Sequence, residues 1–497
     1  MDLSDLIDRN AAFTPDKPAL RFEGEVWRYG FLAERIAALA RAMQAQLGVR
    51  RGDRVAVLAL NAPDYVALLY ACARLGAMLV PLNWRLAVPE QLFILRDAGA
   101  KVLFVADAFD AMCAPLAGVL PDMRIVSLDR DMDALIAAAA GEGREPGVDW
   151  SAPVLIVYTA GTTGRPKGAV LTQQALLCNG MMSQHMHAMT QDDHVLTVLP
   201  MFHVGGLNIQ TTPALHLGAT VTIHPRFSPD DTLHAIAQDR PSLTVLVPAT
   251  IQALLDHAAW HATDLSSLRA ITTGSTLVPQ AQVDAMTGRG VPVLQVYGAT
   301  ETSPIAVYTR FGGDLSRDGS TGLPGLLCEA RVVDDAGQDV PPGTPGEVAV
   351  RGPNVFTEYW NNATATAEAL RDGWFLTGDI ATRDADGYVT ICDRKKNMIV
   401  SGGENIYPAE IERVLLEHPA VAEAAVIGVV DARWQEVPFA IVVPRAGACA
   451  TADELRRFLL SQLARFKVPR EIVFAAELPR NALGKIQHFR LRELYGG

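Results

Sequence analysis

The chain has 497 residues, too many for one ordinary core; at ~150 residues per domain it divides into about three units. Apolar residues make up 49% and charged residues 20%, which excludes a disordered chain and leaves enough apolar mass to fold without disulfide or metal staples. The net charge is 43 − 55 = −12, which argues against a general nucleic-acid binder, whose footprint is basic. Six scattered cysteines, with no CxxC pair, read as reduced thiols in a cytoplasmic protein. The opening MDLSDLIDRN is acidic and is not expected to act as an export signal, and the closing Leu-Tyr-Gly-Gly is not expected to direct lipidation or peroxisomal import. No apolar run approaches the ~18 residues of a membrane span.

In chain order, Asp53–Leu60 reads as a buried strand, and Asn61-Ala-Pro-Asp as a helix start with an Asn cap, the helix running to about Arg74. A strand over Ala77–Pro81, a helix over Pro89–Asp97 and a strand over Lys101–Val105 follow. This alternation predicts βαβ units and a parallel sheet covered on both faces. The rhythm restarts at Pro153–Tyr158 and continues through Val195–Leu199, Thr220–Ile223, Leu243–Val247, Leu268–Thr273 and Pro292–Val296. Residues 312–392 carry many glycines and prolines and short alternating strands, Gly346–Arg351 and Gly387–Cys392 among them, and predict a β-rich subdomain. After the charged run Asp393-Arg-Lys-Lys-Asn397, strands at Val421–Val429 and Phe439–Val443 and helices at Pro408–Glu417 and Ala452–Leu463 suffice for a compact α/β domain. The fold class is α/β, with a large layered N-terminal domain and a small C-terminal one.

The sharpest chemical signal is Tyr158-Thr-Ala-Gly-Thr-Thr-Gly-Arg-Pro-Lys-Gly168, after a strand and ahead of the helix expected near Gln173. Gly161, Gly164 and Gly168 let the backbone approach an anion, Thr159, Thr162 and Thr163 add hydroxyl donors, and Lys167 adds a point charge. By composition it grips phosphate. Pro166-Lys167-Gly168 breaks the Gly-Lys-Ser/Thr order, so it is not a Walker A loop.

This loop resembles the signature of the AMP-forming acyl-adenylating superfamily, which includes acyl-CoA synthetases, peptide-synthetase adenylation domains and firefly-type luciferases; the layout is similar to bacterial fatty-acyl- and aryl-CoA ligases. Four more matches follow in order: Tyr297-Gly-Ala-Thr-Glu301, Thr377-Gly-Asp379, Asp393 through Pro408, and Pro479-Arg-Asn-Ala-Leu-Gly-Lys485. The resemblance implies ATP, Mg²⁺ and coenzyme A as cofactors and cosubstrates, and a carboxylic acid as substrate. An acid attacking a phosphate is anion meeting anion, so the site must gather positive charge. Glu301 suits a Mg²⁺ ligand, Thr300 a donor to the α-phosphate, and Tyr297, beside Gly298, a flat face for adenine. Asp379 would accept the ribose hydroxyls, as an acid does in other nucleotide sites, with Arg394 assisting. Lys485 would reach the acyl carboxylate and phosphate during adenylation, a task suited to a long mobile ammonium.

Relatives rotate the small domain between two half-reactions. By position the hinge is Lys396 within 394–396, separating residues 1–393 from 397–497. Gly402 and Gly403 would let the thin pantetheine arm pass, and Phe466 and Arg470 would hold the CoA nucleotide, although Val468 stands where some relatives carry a basic residue. His203, in Pro200-Met-Phe-His-Val-Gly-Gly206, resembles the segment lining the acyl and thiol channels, with Gly205, Gly206, Thr273 and Ser303 as further acyl wall. His185 and His187 read as helix surface. Thr273-Gly274-Ser275-Thr276 replaces the Gly-Gly-Ala-Pro of many relatives, with Gly274 and Ser275 expected beside the adenine. No arginine is placed to meet a second carboxylate, which argues against dicarboxylic acids and leaves aryl or medium-to-long aliphatic acids. The expected enzyme is an acyl-CoA ligase acting as monomer or homodimer. Its rivals are an adenylating enzyme serving a carrier protein, an acyl-AMP oxygenase, and a non-catalytic nucleotide binder.

Overall fold

The computed structural model describes residues 1–159, 166–274, 278–315, 317, 319–401, 404–431, 434–480 and 486–496, with only the backbone of 404 and 405. Two large sheets face each other across a shared apolar layer. The first has seven strands, with Arg124–Ser127, Val102–Val105, Arg54–Leu58, Met78–Pro81 and Pro153–Thr159 side by side and parallel. The second has nine, with Pro18–Phe22, Thr220–Ile223, His194–Thr197, Leu243–Val245, Ala270–Gly274 and Val293–Tyr297 parallel. Both sheets end in antiparallel strands, Lys167–Thr172 and Glu358–Tyr359 on one, Val307–Tyr308 and Leu323–Pro324 on the other. The parallel centre matches the βαβ rhythm; the antiparallel edges close sheets that would otherwise leave unpaired backbone.

The helix Pro63–Leu75 shows why the middle layer holds. It is apolar all round, eleven of its 13 residues are buried, and its two charges, Asp64 and Arg74, pair with Arg35 and Asp8 at 2.9 and 3.1 Å. Its core neighbours come from both sheets, including Val55, Leu79 and Leu155 on one side and Val195, Val245 and Leu294 on the other. Leu196, Val198, Ile271 and Val293 face outward under a separate helical layer, and Ala56, Val80 and Leu103 do so on the first sheet.

Two expectations need correction, and one strand was not anticipated. Asn61 does not cap the Pro63 helix: Ala62 occupies the cap position with no side-chain bond. The Asn61 amide is buried instead, donating to Leu199 O and His224 O at 2.9 and 3.0 Å and accepting from Met201 N at 2.7 Å, so it ties the two sheets together. Asn61→Ala leaves those groups without partners and is expected to lower the unfolding free energy of the large domain by about 2–4 kcal/mol, read as a lower urea midpoint. An unchanged midpoint would show that the bonds contribute nothing.

The helix expected near Gln173 is present, but an unanticipated strand stands between it and the phosphate-gripping loop. Lys167–Thr172 returns as a strand antiparallel to Pro153–Thr159, placing Lys167 opposite Thr159, and only then does Thr172 cap the helix Gln173–His187 by accepting from Ala175 N at 3.1 Å. The apolar Ala169-Val-Leu171 stretch, buried in the sheet, favours the strand. His187 is not helix surface either. It is fully buried, donating from Nδ1 to Ser183 O at 2.7 Å and meeting Thr272 Oγ1 from Nε2 at 2.7 Å, because its helix face packs on the second sheet. Burial pushes its imidazole down to about 4, which holds the ring neutral. His185, half-buried, meets Tyr308 Oη at 2.9 Å.

The β-rich region forms an antiparallel sheet from Glu329–Val333, Gly346–Arg351, Trp374–Arg383, Leu370–Arg371 and Val389–Arg394. A fourth sheet carries Val421–Asp431, Gln435–Pro444, Ile399–Ser401, Glu404–Ile406 and Glu471–Phe474. Its faces are covered by the helices Pro408–Glu417 and Ala452–Gln462 on one side and His488–Tyr495 on the other. The molecule is thus a large mixed α/β N-terminal domain followed by a small C-terminal one.

Candidate active site

The strand Val293–Tyr297 stops at Gly298, and Thr300–Thr302 turn back as a short 3₁₀ segment. Glycine is required at 298 by space: a Cβ there would lie 1.8 Å from Pro304 O and 2.7 Å from Thr302 Oγ1. Asn354, buried and not anticipated from the sequence, fixes the turn by donating to Thr302 O and Ile305 O at 3.1 and 2.8 Å. Ser303 Oγ donates to Asn354 O at 2.9 Å, so its hydroxyl is committed to holding this turn.

The turn presents Thr300 and Glu301, both buried. Glu301 Oε1 accepts from Tyr359 Oη at 2.7 Å, and Lys167 Nζ lies 5.2 Å from the Tyr359 ring centre. Burial raises the Glu301 carboxyl above its usual range, countered by the Tyr359 bond and the charge of Arg394. Tyr359 is a second residue the sequence reading missed. It arrives because Glu358–Tyr359 pairs with the strand leaving the phosphate loop, Tyr359 opposite Ala169, a register no local pattern reveals.

Near this turn, Asp379 and Arg394 are cross-strand partners, with Arg394 Nε 3.3 Å from Asp379 Oδ1. Tyr297 Oη donates to Asp379 Oδ2 at 2.9 Å. Burial, and then the Asp379 charge, hold the Tyr297 phenol protonated, a fixed donor. Three residues named from separate motifs therefore meet in one cluster, and Arg394 is close enough to act on Glu301 as well.

Other named residues fall around this centre. Thr159 and Lys167 form the mouth of the phosphate-gripping loop. Gly274 ends its strand against Val296, where a Cβ would lie 2.2 Å from Val296 O, and the neighbouring Thr273 is fully buried. His203 heads the short helix Val204–Asn208, its Nδ1 accepting from Gly205 N at 3.1 Å. A Cβ on Gly206 would lie 2.3 Å from Pro200 O, so this glycine too is fixed by space. Arg85, not anticipated, lies 4.7 Å from the Trp84 ring centre and 6.0 Å from that of Phe202, next to His203. Gly161, Thr162, Thr163, Gly164, Ser275, Gly402, Gly403 and Lys485 lie outside the described residues.

Lys396 sits in the turn Lys395–Asn397, exposed at its surface, with its ammonium pushed down by partial desolvation and by Arg394. The turn is tied from both sides. Lys395 pairs with Asp335 and Glu347 at 2.7 and 3.0 Å, while Arg492 Nη2 donates to Lys396 O at 3.3 Å and Ala409 N donates to Asp393 Oδ2 at 2.7 Å. Further along, Phe466 is exposed, and Asp431 gathers both the Arg470 guanidinium and the N–H of the exposed Trp434.

The AMP-binding enzyme profile matches residues 7–360, and the AMP-binding enzyme C-terminal domain profile matches 410–485. The chain belongs to the AMP-binding enzyme family. As a member it is similar over its whole length to an indoleacetate–CoA ligase of Aromatoleum aromaticum, 48% identical with 99% of this chain and 98% of the relative covered. A feruloyl-CoA synthase of an Amycolatopsis species is 41% identical with 98% of each covered. Among solved structures, the o-succinylbenzoate CoA synthetase of Bacillus subtilis with its acyl-adenylate intermediate gives a TM-score of 0.89 at 33% identity, covering 100% of this chain and 99% of that one. The same enzyme with ATP and magnesium ion gives 0.88 at 33% identity, with 99% of each covered. This AMP-binding enzyme is a carboxylic acid–CoA ligase: it joins acid to AMP with release of pyrophosphate, then passes the acyl group to CoA with release of AMP. ATP, CoA and a small carboxylic acid are its substrates. Among the described residues no helix is long and apolar enough to cross a membrane.

Proposed function

We propose that this ligase activates an aromatic carboxylic acid. The observation that carries the reading is the length and degree of its likeness to ligases named for indoleacetate and ferulate, both aromatic acids. The glycines at 205 and 206 leave room for a ring beside His203, and the aromatic rings of Trp84 and Phe202 lie next to it, with Arg85, an unexpected cation, over both. In the first half-reaction the carboxylate oxygen attacks the α-phosphorus of ATP, and the bond to pyrophosphate breaks. Asp379 accepts the ribose hydroxyls, held in place by Tyr297 Oη and Arg394, and the Tyr297 ring backs the adenine beside Gly274 and Ser275. Thr159, Gly161, Thr162, Thr163, Gly164 and Lys167 hold the leaving phosphates, Thr300 donates to the α-phosphate, and Lys485 bridges carboxylate and phosphate.

Mg²⁺ enters with ATP, as in the magnesium-bound relative. Glu301 fits this ion: magnesium is held through one or two carboxylates plus substrate phosphates, and a carboxylate raised by burial is one that a cation stabilises. The ion supplies positive charge at the phosphates.

In the second half-reaction the CoA sulfur attacks the acyl carbonyl, AMP leaves, and the thiol proton passes to solvent. Gly402 and Gly403 admit the pantetheine arm. Phe466, Arg470 and Trp434 offer flat faces and a cation to the CoA nucleotide, and Arg85 a further cation beside His203. Residues 1–393 form the body, 394–396 the hinge and 397–497 the lid. The contacts of Arg492 with the Lys396 carbonyl and of Ala409 N–H with the Asp393 carboxylate are those that rotation would exchange. Lys396→Pro fixes φ near −65° and is expected to spare adenylation while slowing thioester formation about 10-fold or more; equal rates for both steps would contradict a hinge at 396. The residues named for the reaction all lie in one sequence, which suits a monomer or a homodimer alike. The six unpaired cysteines support a reducing, cytoplasmic setting.

Incubating the enzyme with ATP, CoA and an equimolar mixture of arylacetic, cinnamic, benzoic and fatty acids, and identifying the thioesters by mass spectrometry, tests the substrate class. Aryl-CoA products are expected; predominance of fatty acyl-CoA would overturn the aromatic reading while leaving the ligase reading intact.

A further inference from the structure

On the inner face of the nine-stranded sheet, behind Pro200–Gly206, a set of polar bonds has one defined orientation. His187 Nδ1 lies 2.7 Å from Ser183 O, and a carbonyl only accepts, so Nδ1 carries the proton. The buried ring is neutral, which leaves Nε2 as an acceptor. Thr272 Oγ1 at 2.7 Å and Gln210 Nε2 at 3.0 Å both point at Nε2, so both donate to it. The Gln210 amide cannot be turned the other way, because its carbonyl would then face a lone pair. Gln210 is only 1% exposed, and its Oε1 is buried with no partner in the protein.

That residue lines a narrow recess, with space for about one water molecule, shared with Thr197, Leu199, Gly206, Thr211 and Val245. Its hydroxyl protons are already committed. Thr211 donates to Gly206 O at 2.7 Å, and Thr197 therefore donates to Thr211 Oγ1 at 2.7 Å. The recess thus has an apolar wall and counts among its lining residues Gln210, whose buried acceptor is unpartnered, and Gly206, which the acyl wall shares. A buried acceptor without a donor is costly, and a site built to bond one substrate group discriminates strongly against analogues lacking it.

We propose that the Gln210 carbonyl is a specificity-determining acceptor for a hydrogen-bond donor, a hydroxyl or ring N–H, at the far end of the aromatic acid. The inference rests on the aromatic-acid reading above and adds the polar substituent to it.

The test is a comparison of kcat/KM, from CoA-dependent AMP release, for acids that differ only in the donor: 4-hydroxycinnamate against 4-fluorocinnamate, and an indole-bearing acetic acid against its benzothiophene isostere. For the wild-type enzyme the donor-bearing member of at least one pair is expected to be favoured about 10- to 100-fold. In Gln210→Met that ratio is expected to fall to near one. Equal use of both members of each pair by the wild type, or a ratio retained in the Met variant, overturns the proposal. The wild-type ratios decide the point even where the variant folds poorly. Should none of these aromatic acids be used while a fatty acid is, the aromatic reading itself fails; turnover of both members alike spares that reading and removes only the role of Gln210.

Discussion

Lys485→Ala is expected to abolish acyl-AMP formation, with a loss of about 10³-fold or more in acid-dependent ATP–pyrophosphate exchange. Thioester formation from supplied acyl-AMP is expected to survive nearly intact. The asymmetry follows from charge. In the first step a carboxylate and a phosphate approach each other, and a long ammonium between them stabilises the transition state more than the separated reactants. In the second step a thiol attacks an anhydride that is already activated, and no added cation is needed at the carboxyl oxygen. The position in Pro479-Arg-Asn-Ala-Leu-Gly-Lys485, just ahead of the helix His488–Tyr495, also matters. That helix contacts the Lys396 carbonyl through Arg492 at 3.3 Å. Equal loss of both steps in the variant would remove Lys485 from this role.

Gly298→Ala is expected to be nearly as damaging, although it removes no functional group. The added methyl would sit 1.8 Å from a backbone oxygen, Pro304 O, and 2.7 Å from a short side chain that is itself bonded to Ala299. Neither can give way without moving the turn that carries Thr300 and Glu301. A displacement of about 1 Å at such a centre costs ~100-fold in rate. Pyrophosphate exchange should fall by about that factor while circular dichroism reports a folded protein. Near-normal exchange would mean that the turn tolerates the shift and does not position the reacting groups.

Much of the architecture was legible because it rests on local patterns. Continuous apolar strands such as Val102–Val105 and helices apolar on every face but for two paired charges, such as Pro63–Leu75, announce a layer buried on both sides. The proximity of Tyr297, Glu301, Asp379 and Arg394 was legible for a different reason: they stand in motifs, and the fold brings them together. What stayed hidden depends on pairing across long sequence separations. Tyr359 meets Glu301 only because its strand lies beside Ala169, and Asn354 meets the 300–305 turn from fifty residues away. Asn61 shows a related failure. Its spacing before Pro63 suited a cap, but its amide found better partners on the facing sheet. Lys167–Thr172 was hidden by the glycine and lysine of the phosphate loop, which drew attention away from the apolar strand that follows.

The most direct test of the central claim is AMP release from Mg-ATP and an aromatic acid, measured with and without CoA. Acid-dependent AMP release that rises with CoA, with aryl-CoA as product, is the predicted result. Acid-dependent release indifferent to CoA, or ATP binding without turnover of any acid, would contradict it.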